Sequence, residues 1–538
     1  MGDHRMPRRT STCFVVTLSL SLSLSLAACS ADAAPDGPYP VADAPLFRIS
    51  ADLESGRTTS SELTMAYIER IETMDEPLNG VIAIAPDALD QAAASDERRT
   101  AGQARGPLDG IPILLKDNLD ALGMPTTAGS WALEANVPTE DSEVARRLRA
   151  AGAVILGKAN TSQFAGFRST GSFNGSTVGG STHNPYDPTR SAAGSSNGSG
   201  ISTAMGFAAA TIGTETSGSI VGPSSVNGVV GMKPTVGLAS RRGIVPISLT
   251  QDSPGPMART VRDVAIVLDV IAGTDPGDPW SADADAQRKD YVAALSTEAL
   301  RGKRLGVLRP TGGDADAVGP LFDAALEVLT AQGADLVELP PDAIVDVRPE
   351  MRVILLHDFK EDLNAYLAGR PESVGVRTLA ELIAFSTSDP RERMHGVELW
   401  EAAQATEGGR RNPAYMEALA NGRRLTREEG IDRLLVQHGL SALVAPTGGP
   451  AGELRPDGAQ GLGPIPDAPR GTRPPSLTST AAVAGYPLIS VPMGLVEGMP
   501  VGISFVGTAW SEDVLLAIAH DYEQASQARV PPPGARAP

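Results

Sequence analysis

Two serines and one lysine lie in segments whose residue types suit nucleophilic catalysis. Ser219 stands in "IGTETSGSIVGP" between a glycine and an isoleucine, with threonines and a glutamate nearby but no histidine. A serine in this setting is either an ordinary loop residue or a nucleophile whose proton goes to a base elsewhere in the chain. Lys116 at the end of "IPILLK" is a candidate for that base, and Ser195 lies in a second serine-rich segment, "SAAGSSNGSG".

One serine motif suggests a different active site, but its context argues against that site. The segment "GSSNG" matches G-x-S-x-G, the strained turn that presents the nucleophile of α/β-hydrolases. That turn must follow a buried strand, whereas the residues before it, "HNPYDPTRSAA", are polar and interrupted by proline. A histidine-based triad is disfavoured as well, because the histidines beyond the N-terminal segment stand in no recognisable catalytic context. These histidines are His183, His357, His395, His438 and His520.

The segment "SAAGSSNGSG" has two interpretations, a flexible linker or part of a site. Composition alone favours a linker. However, an Ala-rich helical segment follows it directly, and then comes the loop that holds Ser219, so we expect it to lie between core elements. Small residues there would let backbone N–H groups and serine hydroxyls approach a reacting carbonyl without crowding.

Lys116 ends an apolar run, "IPILL", where a lysine is expected to be partly or fully buried. One interpretation is that its stem is buried and its ammonium group reaches water. The other is that the ammonium group loses its hydration, which lowers the pKa of a lysine by as much as about 3–5 units. A lysine that is neutral in this way can act as a base, and serine–lysine pairs are an alternative to the histidine triad.

Composition restricts the class of protein. The chain of 538 residues is 41% hydrophobic and 20% charged, as is usual for globular proteins, and is long enough for one large or two medium domains. Its net charge of −19 argues against a nucleic-acid partner, which would require a basic face. The two cysteines, Cys13 and Cys29, both lie in the N-terminal segment, which excludes a cysteine nucleophile and cysteine-bound zinc in the remainder.

The N-terminus has the pattern of an export signal. Arginines at 5, 8 and 9 precede the uncharged stretch "CFVVTLSLSLSLSLAAC", which is short for a transmembrane helix. Its end, Leu26 to Cys29, resembles the lipobox of bacterial lipoproteins, in which the cysteine is lipidated. We therefore expect a lipoprotein signal at 1–28, a lipid anchor on Cys29 and a location in the bacterial envelope; a plain cleaved signal is the alternative. Because Ser30 rather than an aspartate follows, we expect the outer membrane, facing the periplasm.

The remaining chain reads as one α/β domain between two solvated ends. We expect an Ala/Pro-rich tether at 29–45, a domain at 46–528 and a disordered tail at 529–538. Within the domain, a capping box opens a helix at "TSSELTMAYIERIETM", and apolar strands such as "GVIAIAP" and "VILGKAN" alternate with helical segments. This alternation predicts an α/β core with a mixed sheet, a longer helical stretch near 350–440 and a long loop at 448–476.

Several of these segments together resemble the amidase signature family. They are "PLDGIPILLKDN", "SAAGSSNGSG", "TIGTETSGSIVGPSSVNGVVGMKPTVGL", "DSPGPMARTVRD" and "AGYPLISVPMG", within a resemblance that covers about residues 45–525. The resemblance implies a single large domain with a central mixed, twisted sheet covered by helices on both faces. It also implies a triad of Ser219 as nucleophile, Ser195 after a cis peptide bond as proton relay and Lys116 as base. No metal or cofactor is implied.

The resemblance further implies that backbone N–H groups of Thr216, Ser217, Gly218 and Ser219 hold the oxyanion. This chain departs from many members at three positions, with Ala193 and Asn197 in place of glycines and Val221 in place of an arginine. Loss of the arginine argues against a small acidic substrate. The chain is most similar to the bacterial peptide amidases, which share the pattern around "TETSGSIV".

The expected function is therefore hydrolysis of carboxamides with release of ammonia, on C-terminal peptide amides first of all. Fatty-amide or aryl-acyl amide hydrolysis is the alternative within the same fold. The glutaminase component of a tRNA-dependent amidotransferase uses the same triad, but its partners are cytosolic, which disagrees with an export signal. A catalytically inactive lipoprotein is disfavoured by the intact Lys116, Ser195 and Ser219. No obligate protein partner is expected.

Overall fold

The computed structural model describes residues 1–3, 39–169, 171–310, 315–392, 396–454, 459–462 and 475–535. The predicted signal peptide, Cys29, most of the tether and His395 lie outside these ranges. The chain divides into two units, residues 1–36 and residues 37–538. In the first unit only residues 1–3 are described, and the second unit contains every helix and strand given below.

An eleven-stranded mixed sheet forms the centre of the second unit, as the sequence predicted. The strands of this sheet are β1 (Val81–Ile84), β2 (Pro112–Lys116), β3 (Val154–Ala159), β7 (Ala210–Glu215), β8 (Val230–Lys233), β9 (Ser253–Ala258), β10 (Arg304–Val307), β11 (Asp335–Glu338), β12 (Ala442–Pro446), β14 (Leu488–Val496) and β15 (Met499–Val506). Their spatial order is β1-β3-β2-β7-β9-β8-β14-β15-β12-β10-β11. Two short two-stranded sheets pair β4 (Gly171–Phe173) with β13 (Ala459–Leu462), and β5 (Gly175–Ser176) with β6 (Gly180–Ser181).

The described helices confirm the predicted alternation. They are α1 (Leu46–Glu54), α2 (Ser60–Met74), α3 (Ala88–Thr100), α4 (Glu143–Ala150), α5 (Asn197–Met205), α6 (Val221–Val226), α7 (Val261–Ile271), α8 (Ala284–Gln287), α9 (Ala315–Ala331), α10 (Arg348–Ala368), α11 (Leu379–Ser388), α12 (Glu398–Gln404), α13 (Pro413–Thr426), α14 (Asp432–His438), α15 (Leu477–Ala484) and α16 (Glu512–Ser526). Helix α2 begins with the expected capping box, since the Thr59 N–H donates to Glu62 at 2.8 Å while Thr59 Oγ1 accepts from the Glu62 N–H at 3.1 Å. The long helical stretch predicted near 350–440 is confirmed as α10 to α14.

Two parallel neighbours enclose the strand that ends in Lys116. β2 pairs with β3 on one side and with β7 on the other, and all five of its residues are buried. A strand covered in this way must be apolar on both faces, which accounts for the continuous "PILL" before the lysine. The end of β2 therefore delivers a lysine into the interior, and the end of β7 delivers the loop of Ser219 next to it.

Both ends of the domain extend further than the sequence predicted. The Tyr39 hydroxyl donates to Asp52 at 2.6 Å, and Val41 belongs to the main apolar core, so the domain includes residues from about 39. At the other end, Arg529 pairs with Asp43 at 2.8 Å and Ala535 is only 1% exposed. Residues 529–535 differ from the expected disordered tail, because contacts with the N-terminal residues hold them in place.

Within the ranges that the structure describes, no helix is both long and apolar enough to cross a membrane.

Candidate active site

The Lys116 ammonium group is fully enclosed and faces three oxygen atoms. Its Nζ lies 2.7 Å from Ser195 Oγ, 2.9 Å from Thr214 Oγ1 and 3.2 Å from the Thr214 carbonyl oxygen. The side chain is 0% exposed, so the interpretation in which it reaches water is wrong. The predicted contact between Lys116 and Ser195 is present in the folded chain.

This environment suits either protonation state of the lysine. A charged ammonium group donates to all three oxygens, whereas a neutral amine donates to the two Thr214 oxygens and accepts the Ser195 hydroxyl proton. Burial lowers the pKa of Lys116 to about 7, although the negative charges of Asp252 and Glu215 oppose the shift. The lysine can therefore exchange a proton with Ser195 near neutral pH without losing a hydrogen bond.

Ser195 follows a cis peptide bond with Gly194, as the resemblance implied. Its carbonyl oxygen accepts from the Ser162 N–H at 3.0 Å and from Thr161 Oγ1 at 3.1 Å. A Cβ on Gly194 would lie 2.5 Å from Ser162 Oγ, which explains why glycine stands there. These contacts fix the Ser195 backbone so that its hydroxyl faces Lys116.

Ser219 lies in the turn between β7 and α6 and is 9% exposed. Its carbonyl oxygen accepts from the Ser196 N–H at 3.2 Å, so the backbone of the Ser219 turn is tied to the residue after Ser195. Glu215 holds the other side of the turn, since one carboxylate oxygen accepts from the N–H groups of Ile220 at 2.7 Å and Val221 at 3.0 Å. The structure thus brings Lys116 into contact with Ser195 and ties the backbone of Ser219 to the residue that follows Ser195.

We call residues 216–219 the oxyanion loop, and it offers free backbone donors. Within the described part of the chain, the N–H groups of Ser217, Gly218 and Ser219 donate to no protein atom. Gly218 has a φ of +83°, a conformation that side chains disfavour. Unpaired N–H groups beside a serine are the arrangement that binds a carbonyl oxygen as it gains charge.

Sequence reasoning missed four residues that support this site. Thr214 accepts from Lys116, and Asn118 donates to Thr214 Oγ1 at 3.0 Å. Asp252 accepts from Thr216 Oγ1 at 2.5 Å, and Gln251 donates to the Thr216 carbonyl oxygen at 3.2 Å. Although Asp252 begins the segment "DSPGPMARTVRD", nothing in the local sequence predicts contacts of the last two with Thr216, because folding brings them from a distant segment to the back of the oxyanion loop.

A cavity of about 270 Å³ opens beside the oxyanion loop. Thr478 lines it, and its Cγ2 lies 3.4 Å from where a Cβ on Gly218 would be. Its apolar lining includes Leu308, Ile344 and Leu477, which share one apolar cluster with the buried Val221. Among the described residues that line the cavity, none is acidic and Arg309 alone is charged.

Comparisons with known proteins show which family the chain resembles in sequence and in fold. The family model for amidases matches residues 62–516. The chain is 37% identical to a probable amidase of Arabidopsis thaliana, covering 92% of each chain. It is 36% identical to a component of the glutamyl-tRNA(Gln) amidotransferase of Salinispora arenicola, covering 89% of this chain and 96% of that one. The solved structure of the native peptide amidase from Stenotrophomonas maltophilia is 44% identical, with a TM-score of 0.85 over 92% of this chain and 99% of that one.

Proposed function

The chain belongs to the amidase family and is a hydrolase of amide C–N bonds, and from this premise we propose that it releases ammonia from the C-terminal carboxamides of peptides. Ser219 is the nucleophile of this proposal, Ser195 the proton relay and Lys116 the base. The contact of 2.7 Å between Lys116 Nζ and Ser195 Oγ carries the proposal. It joins a buried lysine, whose pKa is about 7, to the hydroxyl of Ser195. The residue after Ser195 donates a hydrogen bond to the backbone of the Ser219 turn.

The first half of the reaction forms an acyl-enzyme. Ser219 Oγ attacks the carboxamide carbon while its proton passes to Ser195 Oγ, and the Ser195 proton passes to Lys116 Nζ. Backbone N–H groups of the oxyanion loop stabilise the charge on the former carbonyl oxygen, each worth about 2.7–4 kcal/mol in comparable enzymes. When the tetrahedral intermediate collapses, the proton returns through Ser195 to the nitrogen, which leaves as ammonia.

The second half regenerates the enzyme. Water attacks the ester of Ser219 and gives up a proton along the same path, and that proton returns to the Ser219 oxygen as the carboxylic acid product leaves. Lys116 starts and ends neutral, so each cycle begins with the same protonation state. The reaction consumes one water and one carboxamide and produces one carboxylic acid and one ammonia.

The peptide-amide substrate is supported by two observations. The similar solved protein is named a peptide amidase, and the cavity that Thr478 lines near the oxyanion loop has no acidic residue among its described lining residues. Val221 has an uncharged side chain that packs into the apolar cluster, so this position offers no cation to a small acidic substrate. Similarity to several glutamyl-tRNA(Gln) amidotransferase subunits, among them that of Salinispora arenicola, favours instead a role as the glutaminase of an amidotransferase.

The first experiment measures ammonia release by a protein that begins at Pro35, which retains the whole unit of residues 37–538. The substrates are peptide C-terminal amides, free amino-acid amides, fatty amides and anilides. We expect turnover of peptide amides that Ser219→Ala abolishes and that Ser199→Ala, a change at a buried serine of α5, largely retains. Turnover of another amide class alone would reject the peptide substrate, and full activity of Ser219→Ala would reject the nucleophile.

We also propose that residues 1–28 direct export and that Cys29 is lipidated at the outer membrane. The support is the basic start, the apolar stretch and the lipobox-like end of the sequence. Labelling the full-length protein with a fatty-acid analogue in a bacterial host tests this, with Cys29→Ser as the control. Label on the wild type and not on Cys29→Ser is expected, and an unlabelled wild type would contradict the lipid anchor.

A further inference from the structure

The oxyanion loop is held from behind by two consecutive residues, Gln251 and Asp252, that take no part in proton transfer. We propose that they are positioning residues, and that Gln251 aims the Ser217 N–H at the substrate oxygen by holding the carbonyl of Thr216. This inference rests on the proposed function, since it concerns the donor that stabilises the oxyanion in that reaction.

Thr216 is fixed at both its side chain and its backbone. Its hydroxyl donates to Asp252 Oδ1 at 2.5 Å, and its carbonyl oxygen accepts from Gln251 Nε2 at 3.2 Å. Thr216 directly follows β7 and is the first residue of the oxyanion loop. Two contacts on one residue leave it little freedom to rotate, so the start of the loop is set by the segment that carries Gln251 and Asp252.

Because the peptide bond is planar, the contact of Gln251 with the Thr216 carbonyl also sets the direction of the Ser217 N–H. The Thr216 carbonyl and the Ser217 N–H belong to one peptide unit, and in a trans unit they point in opposite directions. Gln251 draws the carbonyl toward the protein interior, and the Ser217 N–H therefore points the other way. That N–H donates to no described protein atom, as a donor reserved for a ligand requires.

Gln251 and Asp252 are themselves rigidly held. They are 1% and 7% exposed, and the second Asp252 oxygen accepts from the N–H groups of Ile247 at 2.8 Å and Ser248 at 3.0 Å. Further along the same segment, Thr250 donates to Asp358 of α10 at 2.7 Å. The segment is therefore anchored on the helices, and it can impose its geometry on the oxyanion loop.

A purely structural role for Gln251 does not account for its hydrogen bonding. Its Oε1 is buried and accepts from no group in the described part of the chain. Leaving a buried acceptor unpaired costs about 1–3 kcal/mol, which an apolar side chain of similar size would avoid. The contact that the amide does make is the one to the Thr216 carbonyl.

The test compares Gln251→Met with the wild type, measuring kcat and KM on a peptide amide and the inhibition constant of a peptide aldehyde. The aldehyde forms a tetrahedral adduct with a serine nucleophile, so its oxygen needs the same donors as the transition state. We expect kcat to fall about 10- to 100-fold with KM within about threefold, since loss of a whole donor costs about 10²–10³-fold. The aldehyde affinity is expected to fall in parallel with kcat/KM.

Ser253→Ala is the matched control, because it removes a buried hydrogen bond of the same segment, from Ser253 Oγ to the Pro234 carbonyl oxygen at 3.1 Å, that does not touch Thr216. It is expected to lower the melting temperature while kcat stays within about twofold. Gln251→Ala serves as a second variant, and all proteins are assayed at a temperature where circular dichroism shows them folded. Wild-type kcat or wild-type aldehyde affinity in either folded Gln251 variant overturns the inference, whereas a wild type inactive on every amide overturns the proposed function instead.

Discussion

At the scale of single residues, the environment of Lys116 decides when the active site can work. The lysine is fully buried, and the negative charges of Asp252 and Glu215 partly restore its affinity for a proton. Burial is the larger effect, so the pKa falls to about 7 instead of remaining near its usual value. Only the neutral form can accept the proton from Ser195.

The resulting prediction concerns pH. Because the neutral fraction of Lys116 grows as the pH rises through about 7, kcat/KM should increase about tenfold per pH unit below that value and level off above it. The assay uses an N-acetylated peptide amide without ionisable side chains, so this acidic limb of the pH profile reports a group of the enzyme and not of the substrate. Asp252→Asn removes a charge that raises the lysine pKa and should shift this limb to lower pH. A flat profile between about pH 5 and 8 would contradict the lysine base.

At the scale of elements, the two helices beside the serines differ in how closely they approach their neighbours. Helix α5 lies against the backbone of residues 80 and 160, and a Cβ on Gly198 would come within 2.4 Å of the Asn160 nitrogen and the Gly80 oxygen. In α6, by contrast, a Cβ on Gly222 would meet nothing within 4 Å. The glycine of α5 is therefore required by packing, while the glycine of α6 is not.

This difference predicts opposite results for the same substitution. Gly198→Ala forces a methyl group into backbone atoms that cannot move aside, and should lower the free energy of unfolding by at least about 2 kcal/mol. Gly222→Ala restricts the unfolded chain without a clash and should leave stability unchanged or raise it by about 0.5 kcal/mol. Chemical denaturation measures both. Equal effects of the two changes would show that close approach of α5 is not what selects glycine.

At the scale of the whole molecule, a chain of polar contacts joins the helices of residues 350–440 to the active site. Arg410 donates to Asp358 at 2.8 Å and to Asp362 at 2.6 Å. Those carboxylates in turn accept from the segment that holds the oxyanion loop, through Thr250 at 2.7 Å and the Leu249 N–H at 2.8 Å. Asp358 is fully buried, so its negative charge depends on Arg410 for compensation.

Removing Arg410 should therefore destabilise the protein more than removing a surface arginine. Arg410→Met leaves two buried carboxyl groups without their cation, and we expect the free energy of unfolding to fall by about 2–3 kcal/mol, less than for a wholly buried pair because Arg410 is partly exposed. Arg301→Met is the control, since its pair with Glu298 is largely exposed and worth at most about 1 kcal/mol. A fall no larger than that of the control would show that the buried carboxyl groups do not need Arg410.

The sequence by itself determined the α/β class and the order of the main elements, and through a family resemblance it singled out Lys116, Ser195 and Ser219 as candidates. The class and the elements were predicted correctly because they depend on local patterns. A continuous apolar run predicts an enclosed strand whatever surrounds it, and the glycine and serine segments lie directly beside the core elements that position them.

Tertiary structure alone decided which residues support the site and where the domain ends. No local pattern predicts the contact of Thr214 with Lys116 or of Gln251 with Thr216, and these contacts exist because β2 and β7 pair and a distant segment packs behind the oxyanion loop. Likewise, Tyr39 and Ala535 lie in segments whose composition is typical of solvated ends, yet both pack against the core. The physical reason is the same in each case, because such contacts join residues far apart in the chain and depend on the arrangement of whole elements.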